Sequence, residues 1–349
     1  MTYRQRPSSG PLSRMPPRAT VDGMRAAYID RFGPPEEIVV GELPAPRPGP
    51  GPTDVLVDVA ATTVNPVDTL VRSGRFRTAL PFPFVIGRDL VGTVAEAGPG
   101  APGFAPGDPV WCNSLGHCGR QGAAAEQAVV PADRLYPLPA GARPEDVVAV
   151  AHPAVTAHLA LFTHGGLRAG GTVFVGGAAG NVGGALVALA AWAGARVVAT
   201  AAAQDAEYVR SLGADEVLDY ADRRLAGRLA AAAPRGVDVH VATHGGHDLD
   251  AAVPLLAPRG RIVLLAGVAA RPVLPVGPLY QKGGAVVGFA ISHASTAELA
   301  EAAGVVGRLA ATGRLRARAV ERLPLAAAAE AHRRMENGEL RGRRLLLTI

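Results

Sequence analysis

The sequence predicts an α/β chain in two parts: a mostly antiparallel, barrel-like β domain and a doubly wound parallel sheet of six strands. Three observations carry this expectation. From Val150 onward, short apolar strands alternate with helical stretches. A glycine-rich turn stands between the first of those strands and the helix after it. Before residue 150, Gly and Pro turns cut the chain into short strands.

Residues 1–23 are rich in Pro, Ser and Arg, lack periodicity and are expected to form a disordered tail. Order is expected from Met24, where Met-Arg-Ala-Ala-Tyr-Ile reads as a strand. Val55–Ala60 alternates as a strand should, and Gly92–Ala97, Pro109–Cys112 and Glu126–Val130 are further short strands. In the second part the strands are Thr172–Gly176, Arg196–Thr200, Glu216–Leu218, Val237–Ala242, Arg261–Ala266 and Ala285–Ala290. Helices at Val182–Ala193, Asp205–Leu212, Arg223–Ala233 and Leu249–Leu256 alternate with them. After a helix at Ala297–Ala311, strand signals at Ala319–Leu323 and Arg344–Thr348 are expected to return to the first part. The predicted domains are therefore 24–149 with 312–349, and 150–311.

The length of 349 residues suits two domains. A hydrophobic content of 48% excludes disorder throughout, and the 43 glycines follow no collagen period. The net charge of +5 comes almost entirely from arginine, since Lys282 is the single lysine. Part of that charge is terminal: Arg4, Arg6, Arg14 and Arg18, then Arg333, Arg334, Arg341, Arg343 and Arg344. These read as solvated surface, and with no aromatic-plus-basic platform no nucleic-acid partner is expected. The most apolar stretch, Ala185–Ala203, is interrupted by Gly194 and Arg196, so it reads as a buried helix and strand, with no membrane span. The N-terminus has no apolar core of a secretory signal. Two cysteines, Cys112 and Cys118, cannot staple a fold of this size, which suits a reduced, cytoplasmic setting.

The strongest motif is Gly176-Gly-Ala-Ala-Gly-Asn-Val-Gly183, between a strand and a helix. Gly177, Gly180 and Gly183 let the backbone turn tightly and approach a pyrophosphate. Asn181 and Val182 offer backbone N–H groups at the positive end of the helix. An NAD site asks for a carboxylate at the end of the next strand, but that strand runs Thr200-Ala-Ala-Ala-Gln204, with no acid before Asp205. NADPH is therefore the expected cofactor, with Thr200, Tyr220 and Arg223 or Arg341 as candidates for its 2′-phosphate. Further cofactor contacts are assigned to Ala266, Gly267 and Phe289, at the ends of the last two strands of the sheet.

From Met24 on, the chain resembles the zinc-free, zeta-crystallin-like quinone oxidoreductases of the medium-chain dehydrogenase/reductase superfamily. The resemblance rests on several stretches taken together. These are Val64-Asn-Pro-Val-Asp-Thr69 with Arg72-Ser-Gly74, Gly87-Arg-Asp-Leu-Val-Gly92, Pro106-Gly-Asp-Pro-Val110, Thr156-Ala-His-Leu-Ala-Leu161, the glycine-rich loop, and Leu212-Gly-Ala-Asp-Glu-Val-Leu-Asp-Tyr220. It implies a GroES-like domain from both chain ends around a Rossmann domain, and a homodimer paired through the last Rossmann strand. Zinc members of the superfamily hold their metal with Cys, a His-Glu pair and a later Cys or His. Here Asn65, Arg88-Asp89 and His152 stand at those places, and Cys112, His117 and Cys118 are too crowded for a finger, so no metal is expected.

Without a Lewis acid, alcohol oxidation is disfavoured, and hydride delivery to an already electrophilic acceptor remains. The resemblance places Asn65 and Asp68 in the nicotinamide–substrate cleft and Thr156 beside the nicotinamide. Asn65 would donate to a carbonyl oxygen gaining charge, and Asp68 would orient it or relay a proton, or else cap the turn that follows. Leu70 and Phe76 stand where several relatives carry tyrosines, so the substrate pocket keeps an aromatic wall without its hydroxyl. Three readings remain open: a quinone reductase, an enoyl-thioester or 2-alkenal (enone-type) reductase, and a non-catalytic NADPH- or RNA-binding protein.

Overall fold

The computed structural model describes residues 23–46 and 52–349. Apart from Gly23, the expected tail lies outside the described residues. The first domain opens with β1 (Gly23–Ile29), β2 (Val39–Pro44), β3 (Asp54–Thr63), α1 (Pro66–Arg72), β4 (Phe84–Val85), β5 (Leu90–Ala97), β6 (Pro109–Cys112), β7 (Gln127–Pro131) and β8 (Tyr136–Pro137). The link to the second domain is α2 (Pro144–His158). The second domain holds β9 (Thr172–Gly176), α3 (Asn181–Trp192), β10 (Arg196–Ala201), α4 (Ala206–Ser211), β11 (Glu216–Asp219), α5 (Leu225–Ala232) and β12 (Val237–Ala242). It continues with α6 (Leu249–Leu255), β13 (Leu256–Leu264), α7 (Val276–Gln281), β14 (Ala285–Gly288) and α8 (Thr296–Ala311). Finally β15 (Ala319–Pro324), α9 (Ala328–Glu336) and β16 (Arg343–Thr348) follow.

The parallel six-stranded sheet runs in the order β11-β10-β9-β12-β13-β14. The order reverses beside β9, which places a crevice at the carboxyl ends of β9 and β12, directly after the glycine-rich motif. The first domain has a sheet ordered β15-β16-β3-β5-β6-β8, with β7 on β3, and a smaller sheet β2-β1-β4. The C-terminal strand β16 pairs antiparallel with β3, so both ends of the chain build one wall of the cleft.

Expectation and structure part at the domain boundary. A division after residue 149 cuts through α2, which opens at Pro144 and runs on through Pro153. Proline suits the first turn of a helix, where its missing N–H is unpaired anyway. Nearly all of α2 is buried, because one apolar cluster takes in Val91 and Trp111 of the first domain, Val147, Ala151 and Val155 of α2, and Val173 and Leu186 of the second. Together with its continuation to His164, α2 is the one described helix long and apolar enough to cross a bilayer, and 83% of its apolar window is buried inside the protein. The expected apolar stretch, Ala185–Ala203, is the end of α3 followed by β10.

Candidate active site

The glycine-rich motif turns out of β9 into α3. Gly177 adopts φ 72°, and a Cβ there would lie 2.6 Å from Thr243 Oγ1. A Cβ on Gly183 would lie 2.2 Å from the Gly177 carbonyl oxygen, so the helix can sit this close to the strand only without a side chain. Gly180 differs: a Cβ there meets the same oxygen at an ordinary 3.4 Å, so the space beside it is open to a ligand. Gly180 is the N-cap of α3, and the first intrahelical bond runs from Gly184 N–H to Gly180 O at 2.7 Å. The amides of Asn181, Val182 and Gly183 precede that bond, so they have no partner within the helix and are available to an anion at its start. This cradle fits a pyrophosphate. The C-terminal turn closes over it: Arg341 (φ 44°) and Gly342 stand beside the loop, where a Cβ on Gly342 would be 2.9 Å from the Ala179 carbonyl oxygen. Arg341 is exposed at this turn.

Thr200 ends its run on β10 with its carbonyl accepting from Ala178 N–H at 2.9 Å. Together with the exposed Tyr220 it lines a cavity of about 300 Å³, closed on other sides by His240, His244, Asp248 and Leu249. His240 is buried and stacked on Phe174 at 4.6 Å, and burial lowers its pKa to about 4, so it is neutral. His247 Nε2 lies 2.8 Å from the Ala266 carbonyl oxygen, joining two loops at the crevice rim. Gly267 (φ 87°) touches the Gly245 loop there. Phe289 stacks on His164 at 4.4 Å and packs against the main apolar cluster.

At the other side of the crevice, β3, α1, β5 and β16 enclose a polar cage. Asp89 Oδ2 accepts from Thr63 Oγ1 at 2.7 Å and from Asn65 Nδ2 at 2.8 Å. Arg344 donates through Nη2 to Thr63 Oγ1 at 2.7 Å and to Asn65 Oδ1 at 2.9 Å. Thr63 and Asn65 thus bridge a buried acid to a buried base. Asp68 Oδ2 accepts from Asn65 N–H at 2.8 Å in the capping box of α1, and its Oδ1 faces Arg88 Nε at 3.5 Å. Arg88 crosses to the second domain, donating to Ser292 Oγ at 2.8 Å. Burial pushes the Asp68 carboxyl up to about 6, with Arg88 opposing. Burial and the Asp68 charge push Asp89 up to about 7, with Arg344 opposing. Burial, with Arg88 adding to it, pushes His152 down to about 3, so the imidazole 3.8 Å from Asp89 is neutral.

The comparisons with known proteins agree with this arrangement. Residues 51–140 match the alcohol dehydrogenase GroES-like domain, and residues 181–306 match a domain described as zinc-binding dehydrogenase. The rat (Rattus norvegicus) quinone oxidoreductase is 30% identical over 313 residues, covering 88% of this chain and 93% of that protein. The chain belongs to the zeta-crystallin-like quinone oxidoreductases of the medium-chain dehydrogenase/reductase superfamily. Among solved structures, a mycobacterial protein complexed with NADPH is 30% identical with a TM-score of 0.77, over 93% of this chain and 100% of that one. A structure named as an NAD-dependent alcohol dehydrogenase is 31% identical with a TM-score of 0.82, again over 93% and 100%.

For this medium-chain oxidoreductase the zinc in one domain's description is a question of fit. Arg88, which the resemblance sets at the place of a histidine ligand, is a buried cation. Asn65 has both ends of its amide engaged in the cage. Among the described residues no group of three His, Cys, Asp or Glu is placed to hold a metal ion. Cys112 is buried on β6, and Cys118 Sγ stands 3.8 Å from His117 Nε2. This donor set does not fit zinc.

Three of the expected site residues make bonds that bear on their roles. Asn65 is 1% exposed, and its amide bonds both Asp89 and Arg344, so it braces the cage; the second Nδ2 proton is used by neither bond. Asp68 does cap α1, and it also faces Arg88. Thr156 lies in the last turn of α2, and its hydroxyl donates to the His152 carbonyl at 2.9 Å. That bond uses its only proton, so toward a ligand it can only accept. Leu70 is half-buried on α1, and its carbonyl accepts from Phe76 N–H at 2.9 Å. The Phe76 ring lies near His117 and His293. Sequence reasoning missed Arg344, which it placed on the solvated surface. The signal was there: an arginine beginning the apolar run Leu345-Leu-Leu347, at an inward-facing position of β16.

Proposed function

We propose that this oxidoreductase is NADPH-dependent and metal-independent and reduces a quinone. The observation carrying this reading is Arg88: a buried guanidinium reaches across to Ser292 from the position where the resemblance to zinc members of the superfamily expects a histidine ligand. When bound, the reduced nicotinamide supplies the hydride. The glycine cradle holds the pyrophosphate, and Arg341 with Tyr220 flanks the ribose end. The first acid after β10, Asp205, is tied to Arg318 at 2.8 Å, which favours a 2′-phosphate over the two bare hydroxyls of NADH. Arg88 stabilises negative charge as it develops on the acceptor oxygen. The quinone gains one hydride from the cofactor and one proton from solvent, leaving a hydroquinone and the oxidised nicotinamide.

Initial rates of NADPH and NADH oxidation with 1,4-benzoquinone, 9,10-phenanthrenequinone, a 2-alkenal and an enoyl thioester, all with EDTA, test the reading. NADPH is expected to exceed NADH about tenfold or more in kcat/KM, with quinone turnover indifferent to the chelator. Turnover confined to the alkenal or thioester moves the assignment to a C=C reductase. NADPH binding without any turnover moves it to a non-catalytic role.

A homodimer is part of the same proposal. Strand β14 is one of the two edges of the six-stranded sheet, and Val268, Val273, Val276 and Tyr280, in the segment that leads to it, are 61–74% exposed. Pairing of two such edges covers backbone groups and apolar surface together. Light scattering after gel filtration is expected to give twice the chain mass, and a single chain mass at micromolar concentration counts against pairing. The two free cysteines suit a reduced, cytoplasmic setting.

A further inference from the structure

The loop from Asn113 to Gln121 carries buried polar atoms with nothing to bond. Asn113 is fully buried, and neither its amide nitrogen nor its oxygen has a partner. The same holds for His117 Nδ1, for Arg120 Nε, and for Arg88 Nε and Nη2. On Arg88 those two nitrogens form one edge of the guanidinium, and the nearest acid, Asp68, is at 3.5 Å. Arg88 and Arg344 face Asp68 and Asp89, so that group is balanced. Arg120 and Arg134 are not: among the described residues neither forms an ion pair, and both instead reach Ser114, through its carbonyl oxygen and its Oγ, each at 3.4 Å. His117 sits amid this charge. Burial first, then Arg88, Arg120, His293 and Arg134, push its pKa down to about 4.

Beside these groups, three rings from three segments face one another. The ring centres of Phe76, His117 and His293 are 6.0, 6.1 and 5.7 Å apart. His293 belongs to the same second-domain segment as Ser292, which Arg88 reaches, so rings and arginines line one cleft. Buried donors without acceptors, beside two half-buried cations without an acid, are costly unless a ligand supplies both oxygens and negative charge. A carboxylate supplies two acceptor oxygens in the geometry that an arginine edge matches.

We propose that the acceptor is a planar conjugated carbonyl compound bearing a carboxylate, which docks between Arg88 and Arg120 against His117, its ring beneath Phe76 and His293. This rests on the reading of the cleft as the acceptor site. The charge that holds the acid group also lies beside the reacting carbonyl, so recognition and electrophilic assistance come from one cluster.

Two measurements on the full chain saturated with NADP⁺ or NADPH test it. Calorimetry with the redox-inert pair 2-naphthoate and 2-naphthamide should show the acid binding about tenfold or more tighter. That preference should fall about fivefold or more in Arg120→Gln and again in Arg134→Gln, the second variant guarding against misfolding of the first, with Arg120→Lys keeping part of it. Equal binding of acid and amide overturns the proposal. Inorganic phosphate binding tighter than naphthoate reassigns the site to phosphate and overturns the carboxylate. Kinetics then separate the two readings. With 2-methyl-1,4-naphthoquinone and its 3-(2-carboxyethyl) derivative, the acid should have a kcat/KM about tenfold higher. Equal turnover of both overturns the anion site and leaves quinone reduction standing. Selective naphthoate binding with neither quinone reduced does the reverse.

Discussion

Replacing Gly183 with alanine is expected to cost the protein both its cofactor and part of its stability. The added Cβ would lie 2.2 Å from the Gly177 carbonyl oxygen and 2.8 Å from Ala178 Cα, both backbone atoms. Neither can rotate away, so α3 must move off β9 or the loop must open. Either movement misplaces the amides of Asn181 and Val182 that face the pyrophosphate. The Kd for NADPH, read by nicotinamide fluorescence, is expected to rise roughly 100-fold or more, about 2.7 kcal/mol. Overpacking at backbone should also lower stability by about 1–3 kcal/mol. Gly180→Ala is the informative partner, because its Cβ meets the fold at an unstrained 3.4 Å. It should weaken NADPH while leaving the melting temperature near wild type, since only the ligand competes for that space. Wild-type affinity in Gly183→Ala would show that the cradle does not hold the cofactor.

The glycine motif was legible because its physics is local. A strand, a positive-φ turn and a helix start lie within one short stretch, and the residues that demand glycine are the ones that carry it. The same locality made Pro109–Cys112, Thr172–Gly176 and Val237–Ala242 readable to the residue: the first two are short runs of mostly apolar residues, the third alternates Val with polar residues, and all are closed off by turn residues or polar loops. Two kinds of feature were not legible. In α2, apolar residues on every side blur the helical period, and the two prolines invite a boundary that tertiary burial overrides. The polar cage joins Thr63 and Asn65 to Arg344 across 281 and 279 residues of sequence. Arg344 has no local feature to separate it from its exposed neighbour Arg343, apart from its place on the inward side of the strand. The partners of Asn65 therefore needed the fold, and with them its place as a brace of the cage.

The second large effect is expected at that cage, and its sign depends on pH. Burial raises the Asp89 carboxyl to about 7, against an ordinary value of 3.8. The folded protein thus holds this proton more tightly than the unfolded chain does. Its contribution to stability is present in acid and is lost as pH rises from about 4 through 7. In wild type Arg344 limits that loss, because its guanidinium is the strongest favourable charge on the ionised acid and is bridged to it by Thr63 and Asn65. Arg344→Met removes the cation and leaves the acid. At pH 8.5 the variant is expected to be less stable by about 3 kcal/mol, the usual cost of stranding one member of a buried pair. At pH 5.5 Asp89 is protonated with or without its partner, so the difference should shrink by about 2 kcal/mol, each pH unit above 7 being worth about 1.4 kcal/mol. His240 and His332 are also buried and neutral, which makes both proteins less stable in acid, but they stand in both and cancel in the difference. The double variant Asp89→Asn with Arg344→Met should recover most of the loss at pH 8.5, since no charge then remains unpaired. Urea titrations at the two pH values read all of this. A loss of equal size at pH 5.5 and 8.5 would mean that Arg344 matters through packing alone, and that Asp89 does not titrate against it.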